Sequence, residues 1–123
     1  MTLSLSTMWA QQERFVADMH EFVRETLAMG YDAIEVSHAT PEVPFERLLS
    51  YHEVPISSIH APAPLVRHEG QRANSALNLA ALDEREREAA VEYTKKTIAR
   101  TAHAGGRFGM LQCAHVVRLG EMG

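Results

Sequence analysis

Glu35, His60 and His115 carry the side chains in this sequence that are best suited to proton transfer or metal binding. Histidine changes its protonation near neutral pH and is a common metal ligand, and a carboxylate can serve as a base or as a ligand. Each of the three lies in, or ends, a short apolar run that favours a β-strand: 33–36, 56–60 and 110–115. If these strands are neighbours, the pattern indicates acid–base chemistry beside a divalent metal.

Alternation along residues 33–36 predicts the direction of Glu35. Ile34 and Val36 share one face of such a strand, and Ala33 and Glu35 share the other. The apolar pair should pack under helices, which leaves Glu35 on the inner face. A carboxylate in a parallel strand is costly unless it is paired or used, so Glu35 is either a site residue or half of an ion pair.

His60 and His115 each stand at the carboxyl end of an expected strand. In parallel α/β sheets and barrels, ligands bind at that edge. Neighbouring strands lie ~4.8 Å apart, so the two imidazoles could share one metal ion. A strand-end histidine can also be purely structural, and this alternative stays open for His60.

The remaining candidates lie in expected loops. His38 follows the second strand and could line the mouth of a site, and Trp9 could stack on a sugar ring or simply anchor packing. Arg67, His68 and Arg72 could bind an anionic group such as a phosphate or carboxylate, or could belong to a solvated charged loop.

Helical and extended segments alternate along the chain and position these residues. The order β-α-β-α-β-α-β predicts parallel strands with right-handed helical crossovers. A long loop at 65–82 is either a substrate loop or a solvated excursion. Helices are expected over 13–29, 45–51 and 83–104. Gly30 ends the first, and Asp83 with Glu86 resembles a capping box at the start of the third. The expected buried face of the third helix is formed by Val91, Thr94, Ile98 and Ala102.

Composition limits the class of protein. The 123 residues amount to one domain or part of a larger one, and 46% hydrophobic with 23% charged residues is ordinary for soluble globular proteins. A net charge of −4 gives no general attraction to nucleic acids or membranes. No stretch approaches the ~20 apolar residues of a membrane span, so we expect a cytoplasmic protein. Nucleotide-binding, serine-hydrolase and Cys-x-x-Cys signatures are absent from the sequence.

Three motifs resemble one family of enzymes. These are Gly30-Tyr31-Asp32-Ala33-Ile34-Glu35, Ile56-Ser57-Ser58-Ile59-His60-Ala61-Pro62, and Asn78-Leu79-Ala80 before Asp83 and a long helix. In this order they resemble the xylose isomerase-like TIM barrels, which include sugar-phosphate isomerases and epimerases and the endonuclease IV type of apurinic endonuclease. The resemblance runs from the first to the fourth expected strand.

The resemblance implies a (β/α)-barrel with a divalent metal, Mn, Mg, Co or Zn, at its C-terminal face. Residues 1–123 would be a single N-terminal part with about four βα units. The reaction implied is proton or hydride transfer between adjacent sugar carbons. Glu35 and His60 would be the catalytic residues. His60 would bind the metal together with His115, which matches the family position less closely. The substrate-binding residues would be Trp9, His38, Arg67 and Asn78.

Two departures from the family pattern affect these expectations. A full barrel of this type needs roughly 250 residues, and most metal ligands come from strands five to eight. The stretch 107–123 is also unusual, because Gln112 is a poor choice for a strand buried on both faces. The outer strands of a half-barrel would be open edges, so we expect a homo-oligomer or a partner that supplies a C-terminal half.

Three functions remain open on the sequence. The first is a metal-dependent sugar or sugar-phosphate isomerase or epimerase, which can be inactive as this part alone. The second is a zinc-dependent endonuclease, against which the acidic net charge and the absence of a Lys/Arg stripe argue, so that nucleic acid is not an expected partner. The third is a non-catalytic binding or assembly module that keeps the barrel half.

Overall fold

The computed structural model describes residues 1–105 and 108–111. Strands and helices alternate along this part of the chain. The strands are β1 (Ser4–Ser6), β2 (Ala33–Val36), β3 (Ile56–Ala61) and β4 (Phe108–Leu111). The helices are α1 (Glu13–Ala17), α2 (Met19–Ala28), α3 (Glu42–Ser50) and α4 (Glu84–His103), with short 3₁₀ helices at Trp9–Gln11, His68–Gly70 and Asn74–Ala76.

The strands form one parallel sheet in the order β1-β2-β3-β4. Leu5 lies opposite Ile34 between β1 and β2, and Val36 lies opposite Ile59 between β2 and β3. The register shifts by one residue between Ile34 and Glu35. The expected α/β architecture with parallel strands in chain order is therefore confirmed.

The hydrophobic core lies between one face of the sheet and the helices. Ile34, Val36 and Ile59 project from the strands into this core and are fully buried. Each fully buried side chain of this size contributes roughly 1.5–3 kcal/mol to folding. The aromatic residues that meet them from the helices are Phe15 of α1, Phe22 of α2 and Phe45 of α3.

The helix expected over 13–29 is two helices, and the expectation of one continuous helix is wrong. The chain breaks at Asp18, whose backbone is extended (φ −138°, ψ 92°). The Asp18 carboxylate accepts hydrogen bonds from the amides of His20 and Glu21, which makes it the N-cap of α2. Gly30, with φ +87°, follows the end of α2 in the left-handed region, as expected.

Helix α4 begins where the sequence predicts but buries a different face. The Asp83 carboxylate accepts a hydrogen bond from the Glu86 amide at 2.8 Å and caps the helix. Ile98, expected in the core, is 50% exposed, whereas Thr97 and Thr101 are buried. The spacing of apolar residues predicted the wrong buried face of α4. Threonine can occupy the buried face here because the hydroxyls of Thr97 and Thr101 form hydrogen bonds with backbone groups.

Smaller differences concern the ends of elements. Helix α3 starts at Glu42, three residues before the expected start, because Pro44 falls within its first turn, where proline is tolerated. Strand β4 starts at Phe108, and the expected strand end at His115 lies outside the described residues. Within residues 1–105 and 108–111, no helix is both long and apolar enough to cross a membrane.

Candidate functional site

Glu35 and His60 lie on the face of the sheet that points away from the core. Along β2, Ala33, Ile34 and Val36 are buried while Glu35 is only partly buried, and His60 is likewise partly buried between buried neighbours in β3. Glu35 lies opposite Ser58, two residues before His60. The Glu35 side chain therefore points away from the core, as strand alternation predicted.

The two side chains are in hydrogen-bond contact. His60 Nε2 lies 3.0 Å from Glu35 Oε1, and their side chains are 32% and 36% exposed, respectively. An ionised carboxylate only accepts, so Nε2 carries the hydrogen and donates it to Glu35. In the neutral ring Nδ1 then carries the lone pair, and no group within the described residues bonds it, so it can act as a base toward a ligand.

The pair lies close to the carboxyl ends of its strands. Glu35 is followed by only one further residue of β2, and His60 by only one of β3. The Glu35 carbonyl accepts a hydrogen bond from the Thr7 amide, directly after β1, at 2.9 Å. Ligands bind at this edge in parallel α/β folds, so the pair stands where substrate chemistry is usual.

His38 is the third predicted site residue at this place. It lies in the loop between β2 and α3, and its ring centroid is 6.4 Å from that of His60. The side chain is partly buried, and neither of its ring nitrogens has a hydrogen-bond partner among the described residues. The structure thus brings together Glu35, His60 and His38.

Trp9 lies in a packing position. Its ring contacts those of Phe15 and Phe22, with centroids 5.1 and 6.3 Å away, and the Arg14 guanidinium lies 5.7 Å from its centroid. It is partly buried against the core cluster. Of the two roles left open for this residue, these contacts describe the packing anchor.

Arg67 and Asn78 belong to the loop between β3 and α4. Arg67 Nη1 donates to the Gln71 carbonyl, and the Asn78 side chain accepts from the Ala80 amide at 2.9 Å. These bonds hold the loop together locally. Their role in substrate binding stays a prediction, since within the described residues no contact joins either side chain to the Glu35–His60 pair.

Glu86 of α4 binds two residues of the loop between β3 and α4. Its carboxylate binds Arg72 at 2.9 Å and accepts from the Asn78 amide at 3.1 Å. The Arg72 hydrogen bond is the main cause that lowers the pKa of Glu86. Arg72, one of the residues expected to bind an anionic group, is therefore paired with a carboxylate of this chain.

A second imidazole–carboxylate pair lies on the outer surface. His20 Nε2 of α2 is 2.9 Å from Glu53 Oε1, with side chains 38% and 50% exposed. Backbone amide donation and the His20 hydrogen bond lower the pKa of Glu53. This pair uses the same two groups away from the strand ends, so it serves as an internal comparison for the Glu35–His60 pair.

Two pairs of hydroxyl groups in the sheet and its loops were not identified from the sequence. Ser4 Oγ donates to Ser57 Oγ at 2.8 Å, which places hydroxyls of β1 and β3 side by side. Thr7 Oγ1 and Thr40 Oγ1 are 2.7 Å apart and buried. The only signal in the sequence was the place of Thr7 at the end of the β-prone run 3–7, a place that serine and threonine often occupy for turn geometry alone.

Metal binding was predicted for His60 and His115. His115 lies outside the described residues, and within those residues no three His, Cys, Asp or Glu side chains come together as a metal site. Glu35 and His60 bond each other and offer two donors at most. A zinc site takes three or four protein ligands, so the described part of the chain does not complete one of that kind.

A scan against protein-family models and searches of curated proteins and of solved structures give no match to this chain.

Proposed function

We propose that this chain is part of a xylose isomerase-like (β/α)-barrel that moves a proton between adjacent carbons of a sugar or sugar phosphate. The barrel is supported by the resemblance of the three sequence motifs and by parallel strands in chain order with helices over one face. Adding strands at both edges of this sheet, with the same twist and order, would close it around the polar face.

The observation that supports the chemistry best is the 3.0 Å contact between His60 Nε2 and Glu35 Oε1. A carboxylate that accepts from one imidazole nitrogen fixes the tautomer, so the other nitrogen is available as a base. It also stabilises the imidazolium that forms when the base takes a proton. The pair thus has the two parts that general acid–base catalysis needs.

In the proposed reaction, His60 Nδ1 takes a proton from the carbon next to the sugar carbonyl. The electrons of the broken C–H bond form the double bond of an enediolate. The imidazolium, held by Glu35, then returns the proton to the neighbouring carbon while the hydroxyl proton passes between the two sugar oxygens. Aldose and ketose are interconverted, and both residues return to their starting protonation.

Glu35 and His60 alone carry out this proton transfer. A divalent metal is part of the family resemblance, and it would polarise the sugar carbonyl. Since no three His, Cys, Asp or Glu side chains come together within the described residues, the remaining ligands of such a centre would come from outside the described part of the chain.

The direct test is an assay of aldose–ketose interconversion by the purified chain, over a panel of sugars and sugar phosphates, with and without Mn²⁺ or Co²⁺. We expect activity that falls by about 10²–10⁴-fold in His60→Gln, the range that a positioned acid–base group contributes. His20→Gln is the matched control, because it removes an imidazole that is also bonded to a glutamate.

An activity that His60→Gln leaves at the wild-type rate contradicts the site assignment. Equal losses in His60→Gln and His20→Gln also contradict it, because they indicate a general effect on the fold rather than on proton transfer.

A further inference from the structure

A buried group of hydroxyls joins the loops at the carboxyl ends of the strands. Thr7, directly after β1, and Ser37 and Thr40, in the loop after β2, are each less than 5% exposed. Thr7 Oγ1 accepts a hydrogen bond from the Ser37 amide at 2.7 Å, and it lies 2.7 Å from Thr40 Oγ1. The two threonine hydroxyls and the Ser37 amide therefore satisfy one another in the protein interior.

The same residues connect three strand ends. The Thr40 carbonyl accepts from the Leu65 amide, in the segment after β3, at 2.8 Å. Within the loop, the Thr40 amide donates to the Ser37 carbonyl at 3.1 Å and Ser37 Oγ accepts from the Ala39 amide at 3.1 Å. Since the loops after β1, β2 and β3 are tied together, the loop after β2 has little freedom to move.

His38 lies between the fixed residues Ser37 and Ala39 of this loop. Its ring is 6.4 Å from the ring of His60, and no described residue bonds its nitrogens. A side chain that has no partner among the described residues, on backbone that is held in place, is the arrangement expected of a residue that contacts a ligand.

We propose that Thr7 and Thr40 are positioning residues that hold His38 against a sugar bound at the Glu35–His60 pair. His38 hydrogen-bonds a hydroxyl or carbonyl oxygen of that sugar while Glu35 and His60 move the proton. This assignment rests on the proposed function of the pair. Valine at position 7 would fill the same volume without giving the Ser37 amide an acceptor. Valine at position 40 would remove the hydroxyl that bonds Thr7 Oγ1.

The first test measures loop position without any turnover. Amide hydrogen exchange of Ser37 and site-resolved labelling of His38 by diethylpyrocarbonate are followed in wild type, Thr7→Val and Thr7→Ser. We expect Thr7→Val to lose protection at Ser37 and to label His38 several-fold faster, while Thr7→Ser, which keeps the hydroxyl, stays at the wild-type values. Labelling of the exposed His103 serves as the internal reference.

Thr26→Val is the matched control, since Thr26 is also fully buried and its hydroxyl donates to the Phe22 carbonyl within α2. We expect it to leave both measurements unchanged. If Thr7→Val does not fold, Thr40→Val is measured instead and should show faster His38 labelling. Wild-type labelling in the folded variant, or an equal increase in Thr26→Val, overturns the proposal.

The second test measures the coupling between the threonine and His38 in the sugar assay. Thr7→Val should lower the rate in the wild-type background and cause no further loss in a His38→Gln background, because both changes remove the same contact. Independent, multiplying losses overturn the proposal. If no sugar is turned over, the proposed function fails, whereas the exchange and labelling results still decide whether the threonines fix the loop.

Discussion

Glu35 and His60 come within hydrogen-bond distance because neighbouring parallel strands place alternate residues on one face. Glu35 lies opposite Ser58, so His60 is one pleat further along β3, and the longer glutamate side chain spans that offset. Both side chains remain about one-third exposed, which gives a ligand access to the imidazole. The contact therefore combines an orienting bond with an open nitrogen.

Glu35→Gln tests the orienting role of the carboxylate. An amide can present its NH₂ group to the imidazole and favour the wrong tautomer, and it cannot stabilise an imidazolium as a carboxylate does. We expect the rate of sugar interconversion to fall by about 10²-fold or more. The matched control is Glu53→Gln, which alters the outer histidine pair and should leave the rate unchanged. Wild-type activity in Glu35→Gln would contradict the assignment.

The sequence predicted the positions of those site residues that follow from strand alternation or from a place at the end of a strand. Glu35, His60 and His38 lie together as that reasoning implied. The Thr7–Thr40 contact joins residues 33 positions apart, and no local pattern distinguishes such threonines from those of an ordinary turn. Arg67 was a candidate by charge alone, and charge does not reveal that its guanidinium bonds a nearby carbonyl.

Helix α4 shows why apolar spacing gave the right element with the wrong face. Its beginning was predictable from the Asp83 cap, a local feature. Its buried side was not, because Thr97 bonds the backbone of Ala63, a residue 34 positions away. Tertiary hydrogen bonds of this kind make a threonine suitable for the core, and they leave no trace in hydrophobic periodicity.

Thr97→Val tests the corrected face of α4. The hydroxyl accepts from the Ala63 amide at 2.9 Å, so its loss leaves a buried N–H without an acceptor. We expect the free energy of unfolding to fall by about 1–3 kcal/mol in chemical denaturation. Ile98→Ser, at the half-exposed neighbouring position, should change it by less than about 0.5 kcal/mol. A larger loss in Ile98→Ser than in Thr97→Val would favour the original stripe.

Arg72→Met tests the attachment of the loop between β3 and α4. Arg72 lowers the pKa of Glu86, so the pair stabilises the fold above the ordinary titration of a glutamate, and this stability is lost as the pH falls through the lowered pKa. Because Arg72 is half exposed, we expect a loss of only about 0.5–1 kcal/mol at pH 7.

The difference between wild type and Arg72→Met should shrink as the pH falls below about 4.5, which denaturation at several pH values measures. Arg85→Met removes a nearby surface arginine and should show no such pH dependence. A wild-type-to-variant difference that stays constant into the acid range would contradict a role for the Glu86 carboxylate.

Across the whole described sheet, the two faces differ in composition. Helices and apolar side chains cover one face, and the other face presents Glu35, His60 and the Ser4–Ser57 hydroxyl pair. Parallel sheets are normally covered on both faces. The sequence predicted this division through alternation, whereas what lies over the polar face depends on contacts beyond the described residues.

We expect this chain to associate with itself or with a second set of strands, because β1 has a neighbour on only one side within the described sheet. An unpaired strand edge binds other strands readily. Sedimentation velocity from low to high micromolar concentration should show species larger than the monomer that increase with concentration. A single monomeric species throughout that range would contradict this expectation.

The central claim is that Glu35 and His60 move a proton on a sugar carbon, and exchange with heavy water measures that step directly. Sugars are incubated with the protein in D₂O, and deuterium at the carbon next to the carbonyl is followed by NMR. We predict incorporation with wild type and with His20→Gln, and none above background with His60→Gln. The His60 side chain is 32% exposed, so the proton on its imidazolium exchanges with D₂O before it is returned. Interconversion without deuterium would indicate direct hydride transfer or a base shielded from solvent, and incorporation that survives His60→Gln would assign the proton to another residue; either result contradicts the account.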